Sequence, residues 1–464
     1  MKSNFLIFLF YILSTTIFSS SESKLFFVNH NFIQVKNKIE SPKHFDTLKK
    51  GTRVELLKEE TQNSTKDDSK TTFSKISYKK LNKSHVGWVK KSLLSKNLKD
   101  SLPSKISDVS FSSTKKENYP SNPKKIVKGI YVSHYSVATP SSLNRLIDLA
   151  NKSEINTFVI DVKNDDGTLL FKMPALQGYG VNSDKKVFIR DIKLLMKKLK
   201  DNNIYTIARI VAFKDPLYAK KFPNQVILNK NTKKPFTGGD GFVWISPYVE
   251  KYGRYVIDVA KEASKVGFNE IQFDYVRFPA SNGGKLDSSL EYHNPKNKSK
   301  AKAIQDFLKK SHTQLSKLET YVGADTYGQV SSSYDDMGLG QHWEAISSSV
   351  DYISPMVYPS HYGKGVYGIP VPDSAPYKTV YASTQDSVNR NHNIDFPAEI
   401  RTWIQDFSAP WVKGSIRYGE KEVIEQIKAL NDLGIKDYIL WNSSNRYSFE
   451  KKLKKKSSKK INTL

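Results

Sequence analysis

Between residues 128 and 445 the chain repeats one pattern: a short apolar run, a polar break, a stretch with apolar residues three and four apart, then another apolar run. The apolar runs are GIYVSHY (129–135), TFVIDVKN (157–164), IYTIARIVAF (204–213), EIQFDYVRFP (270–279), YVGADTYG (321–328), DYISPMVYP (351–359), IRTWIQDF (400–407) and DYILWN (437–442). They read as strands, and the periodic stretches between them as helices. Phe188, Ile189, Ile192, Leu195, Met196 and Leu199 mark one helix. Val256, Val259, Ala260 and Ala263 mark a second, and Val423, Ile424, Ile427 and Leu430 a third. Eight strands alternating with helices predict an α/β fold, a (β/α)8 barrel with loop insertions. An open doubly wound sheet is the rival, but it would show fewer strands and a nucleotide-binding signature.

The flanks differ in character. Residues 1–23 hold Lys2, an apolar run over 5–13 and then small polar residues, the order of a secretory signal peptide or an uncleaved N-terminal anchor. The run is short for a membrane span. Residues 24–98 carry short alternating runs broken by Gly, Asn and Lys, the pattern of a small β-rich module. Residues 99–124 are rich in Ser, Pro and Lys and read as a linker, and 449–464 form a lysine-rich tail of a kind that is usually solvated. The barrel is thus expected over 125–448.

In such a barrel the chemistry sits at the C-terminal ends of the strands. Here those ends carry Asp161, Lys163, Arg209, Asp274, Arg277, Asp325, Tyr358, His361, Trp403, Gln405 and Trp441. Alternation along the fourth run puts Gln272 and Asp274 on one face, with Ile271, Phe273 and Tyr275 on the other. The bulky apolar set suits the helix layer, so Asp274 is expected to face the barrel mouth, with Asp161 and Asp325 on equivalent inward faces. Converging carboxylates among tryptophan and tyrosine suit glycoside hydrolysis, which needs a nucleophile or base together with an acid. A structural alternative stands beside each assignment: Asp274 held in a buried ion pair by Arg277 or Arg209, and Asp161 held by Lys163.

The blocks NTFVIDVKNDDG, IARIVAFKDP, GFNEIQFDYVRFP, DYISPMVYPSHY and RTWIQDF resemble a bacterial glycoside hydrolase family with a predicted TIM barrel, over roughly 129–447. KKGTRVELL with GWVKKSLL loosely resembles bacterial SH3-like modules. The first resemblance implies the barrel and a glycosidase activity. By analogy with retaining sugar hydrolases of this fold, it implies Asp274 as nucleophile and Asp325 as acid/base, with Asp161 a third catalytic candidate. Lys163, Arg209 and Arg277 would orient or tune the carboxylates, while Tyr358, His361, Trp403, Gln405 and Trp441 would contact substrate. Asn164 stands where the family pattern would have an acid.

No cofactor and no metal site is expected, for clustered His and Asp ligands are lacking, and the absence of cysteine excludes thiolate sites and a cysteine nucleophile. GKGVYG (363–368) fits a dinucleotide pattern only by chance, since it does not join a strand to a helix. The net charge of +27 fits contact with cell wall or another anionic surface, through the N-terminal module and the tail, and no nucleic acid partner is expected. The chain is thus expected to be a secreted or cell-surface glycosidase acting on a polysaccharide. The competing expectation is a catalytically silent carbohydrate- or wall-binding protein on the same barrel.

Overall fold

The computed structural model describes residues 24–63, 70–114 and 116–448. The signal-peptide or anchor reading of 1–23 and the lysine-rich tail 449–464 lie outside the described residues. The eight expected strands are present as β1 (Lys128–Val132), β2 (Thr157–Lys163), β3 (Tyr205–Val211), β4 (Glu270–Asp274), β5 (Tyr321–Tyr327), β6 (Tyr352–Val357), β7 (Thr402–Gln405) and β8 (Tyr438–Trp441). Each pairs in parallel with the next, and β8 pairs with β1, so the sheet closes into a barrel. Closure leaves no unpaired strand edge in the barrel.

The crossover helices are α1 (Pro140–Lys152), α2 (Ile192–Asp201), α3 (Glu250–Lys265), α4 (Lys300–Leu315), α5 (Trp343–Ser347), α6 (Pro376–Asn391) and α7 (Glu420–Asp432). Their starts follow from local chemistry. The Asp191 carboxylate accepts from the Leu194 amide and the Ser299 hydroxyl from the Lys302 amide, each satisfying a first-turn donor. Phe188 and Ile189 therefore stay outside α2, although they share its spacing. In α3 the buried residues Tyr252, Tyr255, Val256, Val259, Ala260 and Ala263 form one stripe against the sheet.

Register carries the most weight in β4. Ile271 and Phe273 pack in the large core between sheet and helices, whereas Gln272 crosses the barrel interior to donate to Ser354 Oγ at 3.0 Å. A one-residue slip would send Glu270, Gln272 and Asp274 into the apolar layer. Burying one ionised group there without a partner costs several kcal/mol, more than the ~1.5–3 kcal/mol an apolar side chain gains on burial. The barrel floor already shows the condition for burying charge. Glu270 accepts two hydrogen bonds from Arg401 Nη1, at 2.7 and 2.8 Å, and burial still pushes its carboxyl up to about 7.

The N-terminal module is a five-stranded antiparallel sheet of Leu25–Val28, Arg53–Asn63, Lys70–Lys80, Lys83–Lys90 and Leu94–Ser95. A hairpin, Phe32–Val35 with Asp46–Lys49, adds Ile33, Val35 and Leu48 to a core of Val28, Val54 and Ile76. The Ser/Pro/Lys-rich stretch after it departs from the free spacer its composition predicts. It lies along the barrel: the Thr114 amide donates to Ser348 O at 2.8 Å, and Asn122 Nδ2 donates to the carbonyls of Asn269 and Glu319 at 2.7 and 2.8 Å. Tyr119 packs on Tyr321, 4.8 Å between ring centres and tilted by 42°, and closes the barrel floor. Scattered apolar side chains, Leu102, Ile106, Val109 and Tyr119, provide the anchorage that the polar composition conceals. A cleft lined by Arg53, Tyr78, Ile126, Asp395 and Asp437 runs between module and barrel, at the end opposite the strand C-termini.

Candidate active site

The strand register brings three carboxylates to the barrel mouth. Asp161 on β2 lies opposite Arg209 on β3, and Phe273 on β4 opposite Ala324 on β5, so Asp274 and Asp325 stand one step further along neighbouring strands. Arg209 is the hub. Its Nε and Nη2 donate to Asp274 Oδ2 at 2.9 and 2.5 Å, and its Nη1 donates to Asp161 Oδ1 at 2.6 Å. Asp161 Oδ2 accepts from the Tyr131 hydroxyl at 2.5 Å and lies 3.8 Å from His134 Nδ1. Although burial opposes its charge, Arg209, His134 and Tyr131 together hold the Asp161 carboxyl below the usual range. Asp274 is 5% exposed, and its Oδ1 accepts from the Tyr275 amide at 2.6 Å.

Asp325 lives in a different environment. It is 1% exposed, and Oδ1 accepts a hydrogen bond from Trp403 Nε1 at 2.8 Å. Oδ2 has no hydrogen-bond partner among the described residues. Burial first, and the negative charge of Asp274 second, drive its carboxyl well above the ordinary range. Arg209 reaches β2 and β4 but makes no bond to Asp325. The mouth therefore holds two ion-paired carboxyls beside one, Asp325, whose surroundings favour its protonated form. The Tyr358 hydroxyl is also buried without a partner among the described residues, and burial first, then Asp325 and Asp274, raise it well above the usual phenol range.

The structure redistributes several expected roles. Arg277 does not pair with Asp274; its guanidinium lies over the rings of Trp244 (4.9 Å) and Tyr275 (5.3 Å) and donates to Phe278 O at 2.9 Å. The pairing goes to Arg209 because β4 ends at Asp274. Tyr275 has φ +48°, a left-handed conformation uncommon for a tyrosine, which turns the chain out of the strand. Tyr275 consequently leaves the alternation expected of it, and its ring meets Lys214 Nζ at 3.9 Å.

Lys163 does not hold Asp161 and is not placed for substrate, since its side chain is 0% exposed. Its ammonium donates to Val211 O and Lys214 O, both at 3.0 Å, and pairs with Asp215 at 3.1 Å. The register shift between Arg209 and Ile210 pairs it with Ile210, whose side chain lies in the core between sheet and helices. Trp403 and Gln405, expected as substrate contacts, are fully buried. Trp403 serves Asp325 instead. Gln405 accepts from the Ser360 amide and donates to Asp373 Oδ1, each at 3.0 Å, tying the β6 and β7 loops together.

Trp441 is half-buried, 4.3 Å from Tyr131 and 5.7 Å from Trp403, and His361 is exposed at the rim. Both remain open to a ligand. Tyr131 and His134 were not among the expected site residues. Both lie in GIYVSHY, and the alternation that pointed to Asp274 also turns Tyr131 inward.

The fold and the mouth give context to the comparisons. A hypothetical protein from Ruminiclostridium thermocellum is 32% identical, covering 42% of this chain and 96% of that one, with a TM-score of 0.37. The glycoside hydrolase domain of PgaB (BpsB) from Bordetella bronchiseptica is 15% identical over 69% of this chain and 95% of that one, with a TM-score of 0.49. The α-galactosidase TtGalA from Thermus thermophilus is 11% identical over 82% of this chain and 75% of that one, at 0.44. None of the curated proteins matches the chain. Residues 129–447, the whole barrel from β1 to the segment after β8, match the family model described as "Putative glycosyl hydrolase domain", and the chain belongs to that family.

Proposed function

We propose that the protein is a retaining glycoside hydrolase in which Asp274 is the nucleophile and Asp325 the acid/base. The observation that carries this reading is the difference between adjacent carboxyls: Asp274 is ion-paired by Arg209, while Asp325, buried beside it with Oδ2 unpartnered among the described residues, is pushed well above the usual carboxylate range. Neighbouring carboxyls in such unequal environments mark nucleophile and acid in glycosidases. Asp274 Oδ attacks the anomeric carbon as the glycosidic C–O bond breaks, and Asp325 passes its proton to the departing oxygen. A water then attacks the glycosyl ester and gives its proton to Asp325, which restores both groups. Arg209 and Asp161 position Asp274. Trp441 and His361 are placed to contact the sugar.

The substrate in this reading is an extracytoplasmic, wall-associated or anionic polysaccharide. The residue order over 1–23 and the lysine excess support that setting, and the N-terminal sheet would act as an SH3-like wall-binding module. A polysaccharide screen with wild type, Asp274→Asn and Asp325→Asn tests the assignment. Turnover retained in Asp274→Asn would refute the nucleophile. Binding without turnover in the wild type would favour the second reading, a silent carbohydrate-binding barrel. The burial of the Asp161–Arg209–Asp274 set supports that reading, because the same bonds would serve a purely structural cluster.

A further inference from the structure

The loop after β7 carries an aromatic that neither the strand ends nor the proposed chemistry uses. Trp411 is 69% exposed, and its ring lies nearly parallel to Phe407, 15° between planes and 6.3 Å between centres. Phe407 in turn meets Tyr358 at 6.0 Å and His361 at 6.4 Å, and Tyr358 meets Trp441 at 6.4 Å. A continuous row of rings thus runs from the outer rim to the residues around Asp325. A lone exposed tryptophan needs no explanation, but one that ends such a row does.

The loop is held rigidly. Asp373, itself buried, accepts from Gln405 Nε2 at 3.0 Å and from the Ile416 amide at 3.2 Å, and its carbonyl accepts from the Tyr418 hydroxyl at 2.9 Å. The Tyr418 amide donates to Ser408 Oγ at 2.9 Å, and Ala409 is fully buried. These bonds fasten both ends of the loop, so Trp411 presents one ring face to solvent while Phe407 backs the other. A pre-positioned flat apolar surface saves the ordering cost that a mobile side chain would carry on binding.

We propose that Trp411 is a distal saccharide platform, taking the apolar face of a pyranose ring in a chain whose scissile bond lies at Asp274 and Asp325. This rests on the glycosidase reading and deepens it: the substrate is an oligo- or polysaccharide that extends past the mouth along the β7 loop, not a disaccharide. His361 and Phe407 line the path between the platform and the carboxyls. Losing both the stacking and the buried area of the ring, Trp411→Ala lowers kcat/KM on long chains by about tenfold, mainly through KM.

The experiment compares wild type, Trp411→Ala and Trp411→Phe on cello-, chito- and galacto-oligosaccharide ladders from disaccharide to octasaccharide, alongside binding of the same ladders by the Asp274→Asn protein with and without Trp411→Ala. The expected result is a loss in Trp411→Ala that grows with chain length and is largely restored in Trp411→Phe, with disaccharide turnover unchanged. An equal loss at every length, or no loss at any length, overturns the platform. If the wild type binds the ladders without cleaving them, a length-dependent loss of binding in Trp411→Ala upholds the platform while the glycosidase reading falls. If no ladder is bound or cleaved, the platform is overturned for these sugars.

Discussion

The protonated Asp325 can be tested without knowing the substrate. Asp325→Asn keeps the size of the side chain and an acceptor for Trp403 Nε1, but cannot ionise. In the wild type the folded state holds the Asp325 proton to a higher pH than the unfolded chain does, because burial and the Asp274 charge oppose the carboxylate. The sign follows directly. Where the folded carboxyl is protonated and the unfolded one is not, the folded state binds more protons, so stability falls as pH rises. The fall starts near the unfolded value of about 3.9 and proceeds at up to about 1.4 kcal/mol per pH unit until the folded group also ionises. Asp325→Asn removes that contribution alone. The stability of the variant relative to wild type should therefore increase steadily from pH 4 upward, then level off above the folded titration. Urea unfolding of both proteins across pH 4–9, followed by tryptophan fluorescence, measures the difference. A difference that stays constant with pH, or shrinks as pH rises, would show that Asp325 is ionised in the folded protein and would remove the acid from the proposed mechanism.

Further outcomes follow from the same contacts. Arg209→Met leaves Asp161 and Asp274 buried without their shared cation and should cost about 3–5 kcal/mol, read by thermal or chemical unfolding; an unchanged midpoint would show that the carboxyls do not need it. Trp403→Phe removes the one donor to Asp325, so the alkaline limb of the pH–rate profile on any cleaved substrate should move upward; a limb that stays in place separates Asp325 from the titration seen. His342, buried against Glu344 and Arg390, is pushed down by burial to about 4, so the unfolded chain takes up this proton first as pH falls. Stability should drop by up to about 3 kcal/mol between pH 6.5 and 4, and His342→Gln should flatten that segment of the unfolding curve; an undiminished slope would assign it to other groups.

The barrel was legible because each strand is a dense apolar run and each helix a periodic one, and closure is the arrangement that buries all eight runs at once. Asp274 was legible for a related reason. In EIQFDYVRFP, alternation alone distinguishes the face of Ile271 and Phe273 from that of Gln272 and Asp274, and β4 follows it. Alternation fails where the backbone leaves extended geometry. The positive φ of Tyr275 and the shift beside Lys163 lie at the ends of their strands; there Lys163 leaves Asp161 for Asp215, and of the two arginines expected against Asp274 only Arg209 reaches it. Trp403 was recognised as a mouth residue but misjudged as a sugar contact. Whether an inward tryptophan meets ligand or a neighbouring carboxyl depends on the depth of strand β5 opposite it, which local spacing does not encode. The connector 99–124 differs in another way, since its few apolar anchors pack on Ala301 of α4, Ala345 of α5 and Tyr321 of β5, far away in the chain.

The choice between the two arginines also bears on the chemistry. Three carboxyls converge where one guanidinium is in hydrogen-bonding reach, and that guanidinium spans β2 to β4. Had Arg277 folded back onto Asp274, Arg209 would have been free to turn toward β5, and Asp325 could have been ionised as well. The turn at Tyr275 instead carries Arg277 onto Trp244, where it binds ring faces and a carbonyl. The guanidinium's hydrogen bonds therefore go to Asp161 and Asp274 and not to Asp325, whose burial beside Asp274 favours the protonated form. The turn at Tyr275, one position after the proposed nucleophile, thus keeps Arg277 away from Asp274. Replacing Tyr275 with glycine, which accepts that φ freely, should leave the Asp325 titration in place. Proline there, which cannot adopt a positive φ, should disturb it.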